Sequence, residues 1–242
     1  MTYCVAILLD EGLVFASDTR TNAGVDQVAI FPKMHVFEVR GERVLTLLTA
    51  GNLGITQSVI NRLREAVKAD TGAHLQNVSS LFEAAELVGT ELRLAFDRDA
   101  EHLKNHNAEF HANILIGGQI KGEEHRLFHV YAAGNFIEPS IETPYFQIGE
   151  TKYGKPIIDR VVKHNSEMMD VVKCLLISFD STIRSNISVA APIDLMLYRS
   201  DTLHADCKQR ITENDPYFTS IRQGWSKGLK EVFHDLPNPD WC

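Results

Sequence analysis

The hydrophobic period of this chain changes in paired blocks, and that alternation limits its fold more than any single motif does. Residues 3–9 and 13–17 are apolar and β-branched on either side of the turn Asp10-Glu11-Gly12, the pattern of a hairpin. A second hairpin is predicted over 35–39 and 43–49 around Arg40-Gly41-Glu42. Its VLTLLTA run is apolar at nearly every position, as in a strand covered on both faces. The period then becomes helical: Val59, Ile60, Leu63, Ala66 and Val67 recur within 55–69, and Leu81, Ala85, Val88, Leu92 and Phe96 within 79–103. Ser80 followed by Glu83 is a capping-box pattern that starts the second helix. Strands return over 112–119 and 126–132, helices over 153–164 and 167–185, and a strand pair broken near Pro192 over 187–198. A last helix is predicted over 217–234, stopped by Leu236-Pro237-Asn238-Pro239.

Hairpins alternating with helix pairs predict an α+β fold, a four-layer αββα sandwich in which antiparallel sheets stack and helix pairs cover them. No linker, repeat or low-complexity stretch interrupts the 242 residues, so residues 1–242 read as one domain. The formal net charge is −8, with no Lys/Arg block, which argues against nucleic acid and anionic membranes as partners. Cys4, Cys174, Cys207 and Cys242 are scattered without a CxxC pair, as in a reduced cytoplasmic protein. No apolar run reaches the ~18–20 residues of a membrane span. The opening MTYCVAILLDEG has no basic segment and meets Asp10 and Glu11 too early for a signal peptide.

Thr2 is the residue with the most chemical content. A small residue after the initiator Met is the usual context for Met removal, which would leave a free N-terminal threonine. Such a residue holds a hydroxyl nucleophile beside an amine whose unperturbed pKa is about 7.7–8.0, so one residue supplies both nucleophile and base. Many ordinary chains begin Met-Thr, and the pattern gains meaning only from its company. Cys4 shares the strand face of Thr2 and reads as a buried structural thiol. His102 and His106, spaced i, i+4, with His111 nearby, lack the carboxylate or Cys spacing of a zinc motif, so no metal site is assigned.

The segments MTYCVAILLDEGLVFASDTR, SDTRTNAGVDQVAIFPKMHVFE, TAGNLG, IGETKYGKPIIDR, SFDSTIRSNISVAAPIDL and the closing LPNPDW resemble proteasome β-type subunits, and within them the bacterial Anbu (ancestral β-subunit) class. The likeness runs from Thr2 to Trp241 without a large gap. It implies an N-terminal-nucleophile hydrolase fold and a threonine-type peptidase acting on peptides or unfolded proteins, with no cofactor. It also implies a homo-oligomer (a ring, an open spiral or a dodecamer) and allows an unfoldase partner.

Carried over by position, the resemblance makes Thr2 the nucleophile, Asp18 and Lys33 its acid and base partners, and Gly51 the oxyanion donor. A buried ammonium at Lys33 would favour the alkoxide and depress the α-amine pKa. Arg20 falls beside the site as a structural charge. Asn22 and Ala50 fall on the two segments expected to pair with an extended peptide. Pocket walls are expected from Thr21, Phe31, His35, Thr49 and Leu53. Two places depart from the family pattern. Glu150 stands in the turn Ile148-Gly149-Glu150-Thr151 where many relatives have a serine, and it could pair with Lys33, pair with the α-amine or face solvent. The further Asp/Ser pair is contested among Asp180, Ser181, Ser185 and Asn186, with Asp180 and Ser185 favoured for the site wall. Two other functions fit the same fold: a catalytically silent scaffold or binding subunit, and a small-molecule amidase.

Overall fold

A computed structural model describes residues 2–22, 28–106, 110–205 and 207–241. The N-terminal hairpin forms as expected from β1 (Tyr3–Leu9) and β2 (Gly12–Asp18), with Cys4 opposite Ser17 and Leu9 opposite Gly12. On its outer sides it adds β10 (Tyr145–Gly149) against β1, and β11 (Ile193–Arg199) then β12 (Cys207–Ile211) beyond β2, giving the order β10-β1-β2-β11-β12. A second antiparallel sheet is built in chain order from β5 (Met34–Val39), β6 (Arg43–Gly51), β7 (Ala112–Ile120), β8 (Arg126–Val130) and β9 (Phe136–Ile137). Between the hairpins lies a two-stranded ribbon, β3 (Arg20–Asn22) with β4 (Val28–Ile30).

The helices start where the sequence supplies a cap. Asn52 accepts from the backbone N–H groups of Gly54 and Ile55 to open α1 (Leu53–Ala69). Ser80 accepts from Glu83 N at 3.0 Å to open α2 (Leu81–Asn105), while the Glu83 carboxylate reaches back to Ser79 N at 2.8 Å. Asp215 accepts from Phe218 N, and Pro216 occupies the first turn of α5 (Pro216–Asp235), where its missing N–H costs nothing. The expected helix over 153–164 is only the two turns of α3 (Lys155–Val161), and α4 (Met168–Ser185) follows as read.

Alternation along the strands sorts the apolar residues into three clusters. Tyr3, Val5, Ile7, Val14 and Ala16 pack with Ile158 of α3, Leu175 and Phe179 of α4 and Phe218 of α5. Leu45, Leu47, Ile114, Ile116 and Phe128 pack against Val59 and Leu63 of α1 and Val88 and Leu92 of α2. The opposite parity, Cys4, Ala6, Leu13, Phe15, Val44, Leu48, Leu115, Leu127 and Met196, forms a cluster drawn from both sheets. The mixed helices and antiparallel sheets are those of an α+β protein.

The strand pair expected over 187–198 is corrected. Only β11 forms there, because Pro192, preceded by a cis peptide bond, has no N–H to give to a ladder. Besides β2, β11 pairs instead with β12, whose CKQR residues are exposed and carry no alternation. Among the described residues no helix is long and apolar enough to cross a membrane.

His129 of β8 is packed among Tyr131 and Phe146, with Nε2 3.0 Å from Asn113 Oδ1, and burial lowers its pKa to about 4. His35 is lowered to about 4 by burial and by the Arg64 guanidinium, which lies 3.2 Å from Nδ1. Both imidazoles are therefore neutral in the folded chain at pH values where an unfolded one, of pKa near 6.5, is protonated. Their contribution is complete above about pH 6.5 and is lost as pH falls toward 4. Denaturation midpoints followed across that window are expected to fall in the wild type, with a shallower fall in His129→Gln.

Candidate functional site

β1 begins where β2 and β6 end, and these strand termini hold the residues that the sequence singled out. A cleft of about 530 Å³ is lined by Thr2, Thr21, Lys33, Thr49, Ala50, Gly51, Asn52, Leu53, Gly54, Thr56, His111 and Gly149. Asp18, the last residue of β2, is fully buried, and its Oδ1 accepts from Lys33 Nζ at 2.7 Å and from Tyr3 N at 2.9 Å. Lys33 is 4% exposed and donates a second time, to Arg20 O at 2.7 Å. Burial pushes the Asp18 carboxyl above its ordinary value, and the Lys33 ammonium with these hydrogen bonds pulls the other way. Asp18 Oδ2 has no partner among the described residues, so this carboxylate retains acceptor capacity at the site.

Thr2 is held from two sides. Its carbonyl accepts from Glu150 N at 2.6 Å, and the next residue is tied to Asp18. Tyr3 itself is fixed deep in the core: its hydroxyl accepts from Gln147 Nε2 at 2.6 Å and is 2.5 Å from Ser178 Oγ, and its ring lies against Phe179. Gly149 has φ +89°, and a Cβ there would sit 2.0 Å from Thr2 O, so only glycine lets β10 approach the start of β1 this closely. Gly51 closes β6 with φ +118°, and a Cβ would meet His111 O at 2.1 Å. Asn52 follows at once as the cap of α1, and so brings the N-terminus of a 17-residue helix to the cleft.

The structure thus gathers Thr2, Lys33 and Gly51 in one cleft with Asp18 beneath it, and Thr21, Thr49, Ala50 and Leu53 on its walls. Asn22 ends β3. Phe31 and His35 are not among the lining residues: Phe31 N bonds Thr19 O, and His35 turns to Arg64. Asp180 is not brought to the cleft either. It is ion-paired with Arg184 at 2.9 Å and Arg222 at 2.8 Å between α4 and α5, and Ser185 is an exposed residue in the last turn of α4. Among the described residues Glu150 neither pairs with Lys33 nor faces solvent. Only 6% exposed, it takes a hydrogen bond from Asn186 Nδ2 at 2.8 Å, with Lys152 Nζ 3.8 Å away. Sequence reasoning missed Asn52, readable as a helix cap after the strand; Asn186, readable only as one of four competitors; and His111, which carried no signal for the cleft. Cys4 is fully buried, and burial pushes its thiol well above the ordinary range, consistent with an inert side chain. His102 and His106 line a neighbouring hollow, and among the described residues no group of three or more His, Cys, Asp or Glu could hold a metal ion. Met1 lies outside the described residues.

The two ends of the Gly51–Gly54 segment differ in tolerance. Gly51→Ala places a methyl against backbone and forces an unfavourable φ, an expected loss of about 1–3 kcal/mol or more in chemical denaturation. Gly54→Ala, inside α1 with only Asn52 Oδ1 at 3.4 Å, is expected to be neutral or to gain up to about 1 kcal/mol.

No protein-family model matches the chain, and no curated protein matches it. Solved structures do. It is similar to Anbu (ancestral beta-subunit) from Yersinia bercovieri at 49% identity and TM-score 0.93, over 99% of each chain. A Gly-1 mutant of Anbu from Hyphomicrobium sp. strain MC1 is 44% identical at TM-score 0.93, over 99% of this chain and 100% of that one. A helical assembly of the Anbu complex from Pseudomonas aeruginosa is 46% identical at TM-score 0.94, over 99% of this chain and 98% of the other. With identity at that level along nearly its whole length, the chain belongs to the Anbu (ancestral β-subunit) family.

Proposed function

We propose that this protein is a proteasome-related subunit that hydrolyses peptide bonds with Thr2 as an N-terminal nucleophile once Met1 has been removed. The observation that carries this reading is the Lys33–Asp18 pair, buried and bonded at 2.7 Å, in the cleft that also holds Thr2 and Gly51. Thr2 Oγ attacks the peptide carbonyl while the α-amine takes the hydroxyl proton. The carbonyl oxygen becomes an oxyanion that accepts from Gly51 N–H, an interaction worth about 2.7–4 kcal/mol in comparable sites. The α-ammonium returns the proton to the leaving amine as the C–N bond breaks. Water, deprotonated by the same amine, then releases the acyl group. Lys33 keeps positive charge beside the developing alkoxide, and Asp18 orients it. A substrate strand between Thr21–Asn22 and Ala50 would meet two backbone segments that flank the cleft.

The three apolar clusters support reading the fold as the four-layer αββα sandwich of N-terminal-nucleophile hydrolases. The helical assembly of the Pseudomonas aeruginosa relative supports a homo-oligomer built from this chain. A cytoplasmic location and an unfoldase partner remain part of the same proposal.

Hydrolysis of a fluorogenic peptide library tests the chemistry. Thr2→Ala is expected to abolish turnover, and Lys33→Met to lower it by about three orders of magnitude or more. Because Lys33→Met strands a buried carboxylate, Lys33→Met with Asp18→Asn is measured beside it as the charge-balanced form. Turnover at the wild-type level in that folded double variant would refute the assigned roles of Lys33 and Asp18. Cleavage confined to acyl-amides would move the assignment to the amidase, and no turnover of any amide would favour the scaffold.

A further inference from the structure

Thr2 has a chain neighbour on one side only once Met1 is gone, and chain ends fray unless something ties them down. Acyl transfer tolerates little of that motion, since a displacement of about 1 Å can cost ~10²-fold in rate. What ties this end down is a closed circuit. Tyr3 N donates to Asp18 Oδ1 at 2.9 Å, and Lys33 Nζ donates to the same oxygen at 2.7 Å. Lys33 Nζ also donates to Arg20 O at 2.7 Å, and Arg20 Nη1 donates to Ile187 O at 2.8 Å. Asn186, bonded covalently to Ile187, donates from Nδ2 to Glu150 Oε2 at 2.8 Å, and Glu150 N donates to Thr2 O at 2.6 Å. The path leaves the nucleophile through Tyr3 and returns to it through Glu150.

The bridge across the circuit is the loop that caps α4. Asn186 Oδ1 accepts from Ser188 N at 2.9 Å, which fixes the amide so that its Nδ2 faces Glu150. The far end of the loop is held separately by Thr19 Oγ1, which donates to Pro192 O at 2.8 Å. The near end, at Ile187, is tied to β3 through the Arg20 guanidinium. The Glu150 side chain does not line the cleft, so its influence on Thr2 passes through its own backbone N–H.

We infer that Arg20, Glu150 and Asn186 are positioning residues for the Thr2 nucleophile, acting as one hydrogen-bonded clamp closed by the Asn186–Ile187 loop. This rests on the reading of Thr2 as the nucleophile and adds residues that touch neither substrate nor the reacting atoms. A circuit has a signature that separate structural contacts lack. Opening it at one point releases the constraint, and opening it at a second point releases nothing more. Substitutions in the clamp are therefore non-additive. It also depends on hydrogen bonding and not on charge at Glu150, because Gln offers the same acceptor to Asn186.

The test is the inactivation of the purified full-length protein by a peptide epoxyketone, resolved into KI and the maximal rate kinact. Arg20→Ala and Asn186→Ala are each expected to lower kinact about tenfold with KI within about twofold of wild type. The double variant is expected to be no slower than the slower single one, and Glu150→Gln to stay near wild type while Glu150→Ala falls with the others. Single variants with unchanged kinact, losses that appear in KI, or a double variant about a hundredfold slower would overturn the clamp. If the wild type does not react at all, the nucleophile assignment fails and the clamp is decided by hydrogen exchange of residues 2–9. Faster exchange in both single variants, not increased further in the double, sustains it; unchanged exchange overturns it.

Discussion

Everything at the functional end of this protein hangs from one buried carboxylate. Asp18 Oδ1 receives both the Tyr3 N–H, which sets where the first strand begins, and the Lys33 ammonium, which arrives from the far side of the β3–β4 ribbon. Burying a carboxylate is costly unless it is paired and hydrogen-bonded, and removing one member of such a pair typically costs about 3–5 kcal/mol because the other is left uncompensated. The pair is thus an expensive way to gain stability and an effective way to fix geometry. It forces the start of β1, the end of β2 and the segment before β5 to meet at one point. The fold then adds constraints that only particular residues satisfy, with Gly149 admitting β10 against Thr2 and Gly51 admitting β6 against His111.

The sheets do the rest by parity. Side chains of β1 alternate between the helix-facing cluster of Tyr3, Val5 and Ile7 and the cluster of Cys4 and Ala6 shared by both sheets. Thr2 continues the second set, and it emerges where that cluster ends and the cleft begins. Tyr3, on the other face, is locked by Gln147, Ser178 and Phe179. A reactive residue placed at a strand end gains access to substrate, while the next residue supplies the anchor.

How much of this was legible in the sequence follows from how the physics is written there. Elements with an apolar period could be read, so β1, β2, β5, β6, β7, β8, α1, α2, α4 and α5 were legible, and the Ser80 cap marked the start of α2. Of the elements of two to five residues, only β8 carried enough period to be read. The ribbon β3–β4, the short β9 and β10, and the polar edge strand β12 were therefore invisible, and α3 was overextended. The site divided in the same way. Thr2, Asp18, Lys33 and Gly51 stood in motifs that resemble a known family, and the structure gathers them at one cleft. Asp180 was favoured for the site wall as the match to the family's further Asp/Ser pair, yet two arginines engage it between helices. Asn186 became distinguishable only once the end of α4 was fixed and its amide was seen to meet Glu150.

The central claim is that Thr2 is an N-terminal nucleophile, and intact mass tests it most directly. The purified protein is weighed before and after incubation with a peptide epoxyketone, whose stable ring needs a hydroxyl and a free amine on the same residue. The account predicts a mass that lacks Met1 and gains one inhibitor, with the gain absent in Thr2→Ala. A mass that retains Met1 and takes up no inhibitor would contradict it, leaving Thr2 as an ordinary residue at the start of a strand.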